Sequence, residues 1–213
     1  MSCGEQAALI DCSGSGYHNA AEDVAAYLDW WGIESLDLMI LTSVDMGHAR
    51  NACELLDTVP VGHVIVPAVN RENKEPYAAV MRALEAHSVR YEKLSPDRET
   101  AVGEASLGLS VLGGVERKLA VRIASEDQDI LIVHAFTQNM LLELTDKTPL
   151  RCKTLVVSGG FSDSTEKMTE LLGRLSPERI VLENGWTSGT EYNGIPILNP
   201  HEIGEIDWKT VRD

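Results

Sequence analysis

The chain has 213 residues, of which 44% are hydrophobic, so it is long enough to bury a core without disulfide bridges. Its net charge of −15, from 33 acidic and 18 basic residues, argues against a non-specific grip on nucleic acid, which needs clustered Lys and Arg side chains. No run of about 18 apolar residues occurs, so we expect no direct membrane insertion by this chain. We expect one domain over residues 1–213.

The first half of the chain predicts alternating strands and helices. Short apolar runs between turn residues predict the strands, and apolar residues at helical spacing predict the helices. The turn Gly14-Ser15-Gly16 lacks the third glycine of a dinucleotide-binding fingerprint, so we interpret it as a flexible turn. The predicted strands are Ala7 to Asp11, Leu36 to Thr42, Gly62 to Pro67 and Val89 to Leu94, and the predicted helices are Ala20 to Trp31, Ala49 to Leu56 and Glu75 to His87.

The second half is richer in predicted strands. Strands with interleaved helices in both halves favour an α/β fold of two sheets with helices outside. The predicted strands are Ala105 to Leu112, Leu119 to Ala124, Asp129 to His134, Thr154 to Val157, Arg179 to Leu182, Ile195 to Leu198 and Ile206 to Val211, and the predicted helices are Thr137 to Asp146 and Ser164 to Leu175.

A polar loop follows the most apolar of these strands. Residues Leu38 to Leu41 are apolar on both faces, which is typical of a strand covered on both sides. The loop after such a strand is a usual place for a functional site in layered α/β folds. Asp45 and His48 are metal-binding residue types, but a catalytic zinc ion generally needs three protein ligands. The residues alone leave open whether this loop is a site or the remains of one.

Other residues offer further candidates. His134 ends a predicted strand, where a ligand could project, although a lone histidine at such a place is more often hydrogen-bonded. Cys12 also ends a strand, but no paired base is visible near it. The segment Ser158 to Ser162 joins a strand to a helix. Its backbone N–H groups could hold an anion, whereas helix capping explains the same residues.

The order of these motifs resembles one family, the metallo-β-lactamase-like domain at the C-terminal end of ComEC-type DNA-uptake competence proteins. Leu9-Ile10-Asp11-Cys12-Ser13 is similar to the family's opening strand, and Trp31-Gly32-Ile33 to the turn after its first helix. Leu36 to Asn51 follows the family's Leu-Asp-Leu-Leu-Val-Leu-Thr-His-x-Asp-x-Asp-His-x-Gly-Gly. The resemblance implies a four-layer αβ/βα sandwich over Ala7 to Val211, with two mixed sheets face to face, helices outside, and the family's first one or two strands absent.

Most of the family's metal ligands are replaced in this chain. Its first His corresponds to Ser43 and its second Asp to Gly47, while Asp45 and His48 remain. Later metal-binding positions correspond to Ala135, after His134, and to the Gly159-Gly160-Phe161-Ser162 loop, where glycine replaces the ligand His. Glycine and alanine supply no substitute donor. The resemblance therefore implies a vestigial site, made of Ser43, Asp45, Gly47, His48, His134, Ala135, Gly159, Gly160 and Ser162.

We therefore expect a non-catalytic pseudo-enzyme without a cofactor, kept for a structural or binding role. The alternative is a phosphodiesterase or nuclease that uses zinc or manganese on a rearranged ligand set of Asp45, His48 and His134. A third hypothesis is a small-anion or nucleic-acid binding module on the turn of Gly159, Gly160 and Ser162.

The resemblance also implies a cellular setting. It places the chain as a soluble domain of a bacterial cell-membrane protein, on the extracytoplasmic side. The implied partners are the membrane domain of the same polypeptide, and DNA through the full-length protein. The sequence indicates no small-molecule ligand.

Overall fold

The computed structural model describes residues 2–3, 6–12, 19–69, 74–112, 117–134, 143–144, 151–158, 165–182 and 191–200. The chain divides into two compact units, Met1–Ala120 and Val121–Asp213. Within the described residues, no helix is long and apolar enough to cross a membrane. The predicted strand Ile206 to Val211 lies outside the described residues, as does the predicted helix Thr137 to Asp146 apart from Glu143 and Leu144.

A five-stranded sheet forms the centre of the first unit. Its elements are β1 (Ser2–Cys3), β2 (Gln6–Ile10), α1 (Ala20–Trp30), β3 (Leu36–Ile40), α2 (Met46–Leu56), β4 (Val61–Pro67), α3 (Glu75–Ala86) and β5 (Arg90–Leu94). The strand order is β1-β2-β3-β4-β5, with β2 to β5 parallel and β1 antiparallel at the edge. Each parallel pair is joined through one helix, because parallel neighbours need a long crossover.

The central strand β3 is buried on both faces, as its apolar sequence predicted. The adjacent residues Met39 and Ile40 point to opposite faces of the sheet, and both are 0% exposed. Met39 belongs to a core with Leu55 of α2 and Leu84 of α3. Burying a side chain of this kind contributes about 1.5–3 kcal/mol. The sheet thus gives the loop that follows β3 a rigid base.

The first unit also contains an antiparallel hairpin of β6 (Arg98–Val102) and β7 (Ala105–Leu112). The sequence did not predict β6, because its polar start resembles a loop. Two side-chain contacts hold the hairpin in place: Gly103 N–H donates to Gln6 Oε1 at 2.6 Å, and Val111 N–H donates to Asp97 Oδ1 at 2.8 Å. Strand β8 (Lys118–Ala124) follows, and Leu119 N–H donates to the Thr42 carbonyl at 2.8 Å.

The strands of the second unit are paired mostly in parallel. Its elements are β9 (Asp129–His134), β10 (Thr154–Ser158), α4 (Thr165–Leu175), β11 (Arg179–Leu182), β12 (Glu191–Tyr192) and β13 (Ile195–Leu198). These strands follow the order β12-β13-β11-β10-β9, and only β12 is antiparallel to its neighbour. Near the start of the unit, Arg122 binds Asp129 in bidentate fashion, with N–O distances of 2.8 and 2.7 Å.

Helices α1 and α3 end in the same hydrogen-bonded motif. The residue just past the cap has a left-handed backbone in both, with φ +66° at Gly32 and +55° at Ser88. In each, its N–H donates to the carbonyl three residues earlier, and the next N–H donates to the carbonyl five residues earlier. Glycine adopts this conformation without strain, whereas serine pays a steric cost for it.

The two helix ends predict opposite effects of opposite substitutions. Gly32→Ser should destabilise the protein, and Ser88→Gly should stabilise it, each by about 1 kcal/mol, because a side chain is disfavoured in the left-handed region. Urea denaturation followed by circular dichroism measures both. Equal effects of the same sign would show that backbone strain does not control these positions.

The carboxylate of Asp11 ties the ends of β2 and β3 together. Asp11 follows β2 with φ +60°, and its N–H donates to the Ile40 carbonyl at 2.8 Å. Its side chain, 7% exposed, accepts the Thr42 N–H on Oδ1 at 2.7 Å and the Thr42 hydroxyl on Oδ2 at 2.6 Å. Thr42 lies just past β3, so this contact sets the path of the chain as it leaves the sheet.

Removing this carboxylate should lower the free energy of unfolding by more than relief of the positive φ at the same position restores. We expect Asp11→Ala to destabilise the protein by about 3 kcal/mol, because it loses two buried charge-assisted hydrogen bonds and leaves a side chain at positive φ. Asp11→Gly also lacks the carboxylate, but glycine adopts a positive φ without strain. It should therefore recover about 1 kcal/mol of the stability that Asp11→Ala loses. Thermal and urea unfolding measure the difference. Full recovery in Asp11→Gly would show that the hydrogen bonds contribute little.

Candidate functional site

The loop after β3 holds the candidate site. Thr42 and Ser43 are buried within it, at 0% and 5% exposure. Helix α2 begins at Met46, three residues before the predicted start, because Asp45 is its N-cap. The sequence missed this first turn because Gly47 is a poor helix former. The consequence is that Asp45 and His48 lie on one capped turn rather than in an open loop.

Asp45 is the centre of a hydrogen-bond network in this turn. Its Oδ1 accepts the His48 backbone N–H at 3.3 Å and lies 2.8 Å from His48 Nδ1. Its Oδ2 accepts the Ser43 hydroxyl at 3.0 Å. The Asp45 side chain is 47% exposed, so solvent reaches the network from its side. Three of the predicted site residues are thus in direct contact.

His48 is buried between two carboxylates. Its side chain is 2% exposed, and its Nε2 lies 3.7 Å from Asp11 Oδ1, on the far side of the ring from Asp45. Burial alone lowers the pKa of His48, but the hydrogen bond to Asp45 and the negative charges of Asp11 and Asp45 outweigh burial and the charge of Lys118, and raise it above its usual value. The imidazolium form is therefore favoured more at this position than in a free histidine.

Sequence reasoning missed two residues that hold this site together, Asp11 and Asn51. Asn51 is 3% exposed; its Oδ1 accepts the Ala20 N–H at 3.1 Å, and its Nδ2 donates to the Gly47 carbonyl at 2.8 Å. One amide therefore joins the start of α1 to the first turn of α2. The available signal was a polar residue on the apolar side of an amphipathic helix, which predicts a satisfied buried group.

Another predicted site residue belongs to the second unit. His134 ends β9 in the second unit, and its Nδ1 is 3.3 Å from the hydroxyl of Ser158 at the end of β10. This contact agrees with the hydrogen-bonded alternative for a strand-end histidine. The other predicted positions lie outside the described residues: Ala135, Gly159, Gly160 and Ser162.

Cys12 is not available as a nucleophile. Burial, followed by the charge of Asp11, raises the pKa of its thiol to about 12. The thiolate is the reactive form, so this cysteine stays protonated and unreactive at neutral pH.

The polar side chains of the site in the first unit are hydrogen-bonded to one another. A metal needs deprotonated donors, including a neutral imidazole, so metal binding at His48 would compete with protonation of its ring. Both oxygens of Asp45 already accept hydrogen bonds, and both oxygens of Asp11 are bound to Thr42. Ser43 offers only a hydroxyl, and Gly47 offers no side-chain donor. Within the described residues of this unit, Ser43, Asp45 and His48 form a hydrogen-bond network.

Comparison with known proteins gives no sequence match and several structural ones. No family model matches the chain, and no curated protein matches it either. The metallo-β-lactamase fold protein YhfI from Bacillus subtilis has a TM-score of 0.57 at 11% identity, over 85% of this chain and 75% of that one. The short form of human tRNase Z has a TM-score of 0.50 at 10% identity, over 85% of this chain and 83% of that one.

A third solved structure is only partly covered. A mutant of the CmlA β-hydroxylase has a TM-score of 0.50 at 12% identity, over 70% of this chain, but the chain spans only 36% of that protein. At these identities the likeness shows the fold and not the activity. Together with the sheets and helices described above, the comparisons confirm the predicted fold class: the chain has a metallo-β-lactamase fold.

Proposed function

We propose that this chain is a non-catalytic domain with a metallo-β-lactamase fold, in which the metal-binding loop has become a structural hydrogen-bond network. One observation carries the proposal: both oxygens of Asp45 accept hydrogen bonds, Oδ1 from His48 and Oδ2 from Ser43. The carboxylate thus caps a helix and orders a loop. Those are structural tasks, which the carboxylate performs through its own hydrogen bonds.

The proposal also assigns a role to the charge of His48. In a metal site, cations balance the carboxylates that face them. Here a protonated His48 supplies positive charge between Asp11 and Asp45, which lie on opposite sides of its ring. A buried ion needs compensating charge and hydrogen bonds, and this arrangement provides both without a metal.

Metal analysis tests this proposal. Protein purified without chelator should carry far less than one zinc or manganese ion per chain. A catalytic zinc ion generally needs three protein ligands, and the loop offers fewer than three. Elemental mass spectrometry measures the metal, and hydrolysis of a phosphodiester with added zinc or manganese measures activity. Stoichiometric metal with activity that Asp45→Ala and His134→Ala both abolish would overturn the proposal in favour of the rearranged ligand set of Asp45, His48 and His134.

A gain of metal binding provides the matched control. The double substitution Ser43→His with Gly47→Asp puts two donors back into the loop, so it should bind zinc more tightly than the parent protein in a competition titration with a chromogenic chelator. The double substitution Ser43→Ala with Gly47→Ala changes the same positions without adding donors and should leave the affinity unchanged. Parent-level zinc affinity in the histidine–aspartate variant, folded by circular dichroism, would show that the loop cannot be restored.

The pH dependence of stability tests the charge on His48. Because its pKa is raised in the folded state, the ion pair with Asp45 should stabilise the protein fully below the reference pKa of 6.5 and lose its effect as the pH rises through the higher folded value. We expect the stability difference between the protein and His48→Gln to shrink over that range, as urea denaturation measures. In Asp45→Asn, NMR titration of the His48 ring should give a lower pKa. An unchanged pKa would remove Asp45 as the cause.

The cellular role is part of the same proposal. The order of motifs supports a soluble, extracytoplasmic domain of a ComEC-type membrane protein, where the fold would serve a structural or binding role in DNA internalisation. The binding alternative places a small anion or nucleic acid on the turn that includes Gly159, Gly160 and Ser162. Salt-dependent binding of single-stranded DNA by the isolated chain would favour that alternative. No binding at low salt would remove it, because phosphate contacts are strongest there.

A further inference from the structure

Helix α1 presents aromatic side chains to solvent near its C-terminal end. Tyr27, Trp30 and Trp31 are 47%, 84% and 55% exposed, whereas Ala21 and Leu28 of the same helix are buried. The rings of Tyr27 and Trp31 contact each other, with centroids 6.2 Å apart and planes at 49°. Their i, i+3, i+4 spacing puts all three on one face of the helix. We call Tyr27, Trp30 and Trp31 the aromatic patch.

The aromatic patch is unusual for this chain. Five large hydrophobic residues are exposed in the part of the chain that the structure describes, and three of them form this patch; the others are Met46 and Tyr91. Single exposed apolar residues need no explanation, but a cluster that includes two Trp side chains does. Trp and Tyr are the residue types that dominate binding energy where proteins meet.

The patch is held on a rigid element. Trp31 N–H donates to the Tyr27 carbonyl at 3.1 Å, and the next two N–H groups close the helix end on Asp29 and Leu28 at 3.0 and 2.8 Å. Ile33, just past this motif, packs against the core of the first unit. The backbone under the aromatic rings is therefore ordered before any partner arrives, which lowers the entropy cost of binding.

The charge around the patch has one sign. Residues 1–49 contain eight acidic residues and no Lys or Arg. Asp29 and Glu34, on either side of the two Trp residues in sequence, are exposed and have no ion pair within the residues that the structure describes. Glu22 and Asp23 add two exposed carboxylates in the first turn of the same helix. No Lys or Arg side chain of residues 1–49 competes for a cationic ligand.

We propose that the aromatic patch is a docking site for a cationic peptide segment of a partner protein. Arg side chains of that segment would stack on the indole rings of Trp30 and Trp31 and pair with the carboxylates of Asp29 and Glu34. Guanidinium groups suit both contacts, because they stack on aromatic faces and bind carboxylates in planar geometry. The partner chemistry thus follows from the two features that the patch combines.

Charge argues against two other occupants. A second copy of this chain in a two-fold contact would bring the same acidic surface against itself, which costs free energy. A membrane surface with anionic lipids would repel the four carboxylates named above, although Trp side chains favour membrane interfaces. A cationic peptide is attracted by the rings and by the carboxylates at once.

The test uses a fluorescein-labelled peptide of alternating Arg and Ala, followed by fluorescence anisotropy at low salt. The peptide should bind the intact chain, shift the Trp30 and Trp31 indole signals in NMR spectra, and dissociate as salt increases. The double substitutions Trp30→Gln with Trp31→Gln, and Asp29→Asn with Glu34→Gln, should each weaken binding about tenfold. Tyr91→Gln and Glu85→Gln change an exposed ring and an exposed acid elsewhere, so they should leave binding unchanged.

Three results would overturn the proposal. One is equal binding of the peptide to the parent protein and to Trp30→Gln with Trp31→Gln, given that both melt at the same temperature. Another is binding of the chain to neutral phosphatidylcholine vesicles, with loss in the same variant, which would assign the patch to a lipid surface. The last is concentration-dependent dimerisation in sedimentation velocity that the same variant abolishes, which would assign it to a second copy.

Discussion

The contact between Asp11 and Thr42 is the constraint on which the site depends. It joins the ends of two neighbouring parallel strands through a nearly buried carboxylate, and the Thr42 carbonyl in turn accepts the Leu119 N–H from β8. The loop from Ser43 to His48 therefore leaves the sheet in one fixed direction. The same carboxylate lies 3.7 Å from His48 Nε2, so the group that shapes the loop also sets its electrostatics.

This shared use explains how hydrogen bonds order the loop. Asp45 caps α2 and contacts the ring of His48, and the pKa of His48 is raised by the hydrogen bond to Asp45 and the charges of Asp11 and Asp45. Asn51 fixes the same turn to the start of α1. Under our proposal, these protein–protein hydrogen bonds do the ordering that metal coordination does in an active member. The aromatic patch on α1 would then use the stable fold for binding rather than for chemistry.

Local patterns in the sequence predicted most of the fold. The apolar run of Leu38 to Leu41 predicted a strand covered on both faces, and the structure confirms it. The sequence did not predict β6, because its first residues are polar. Pairing with β7, rather than its own residue types, makes this segment a strand. The sequence did not predict the first turn of α2, because Gly47 is a poor helix former. The Asp45 side chain caps this turn, and that contact is seen only in the structure.

The sequence by itself determined the alternation of strands and helices, the resemblance to a metallo-β-lactamase-like domain, and the presence of serine at position 43 and glycine at position 47. These follow from residue types and short-range spacing, which a sequence displays directly. Only the tertiary structure decided which contacts Asp45 and His48 make. Asp11 and Thr42 are 31 positions apart, as are Ala20 and Asn51, and folding alone brings them within hydrogen-bond distance. The burial and facing charges that raise the pKa of His48 arise from the same long-range packing.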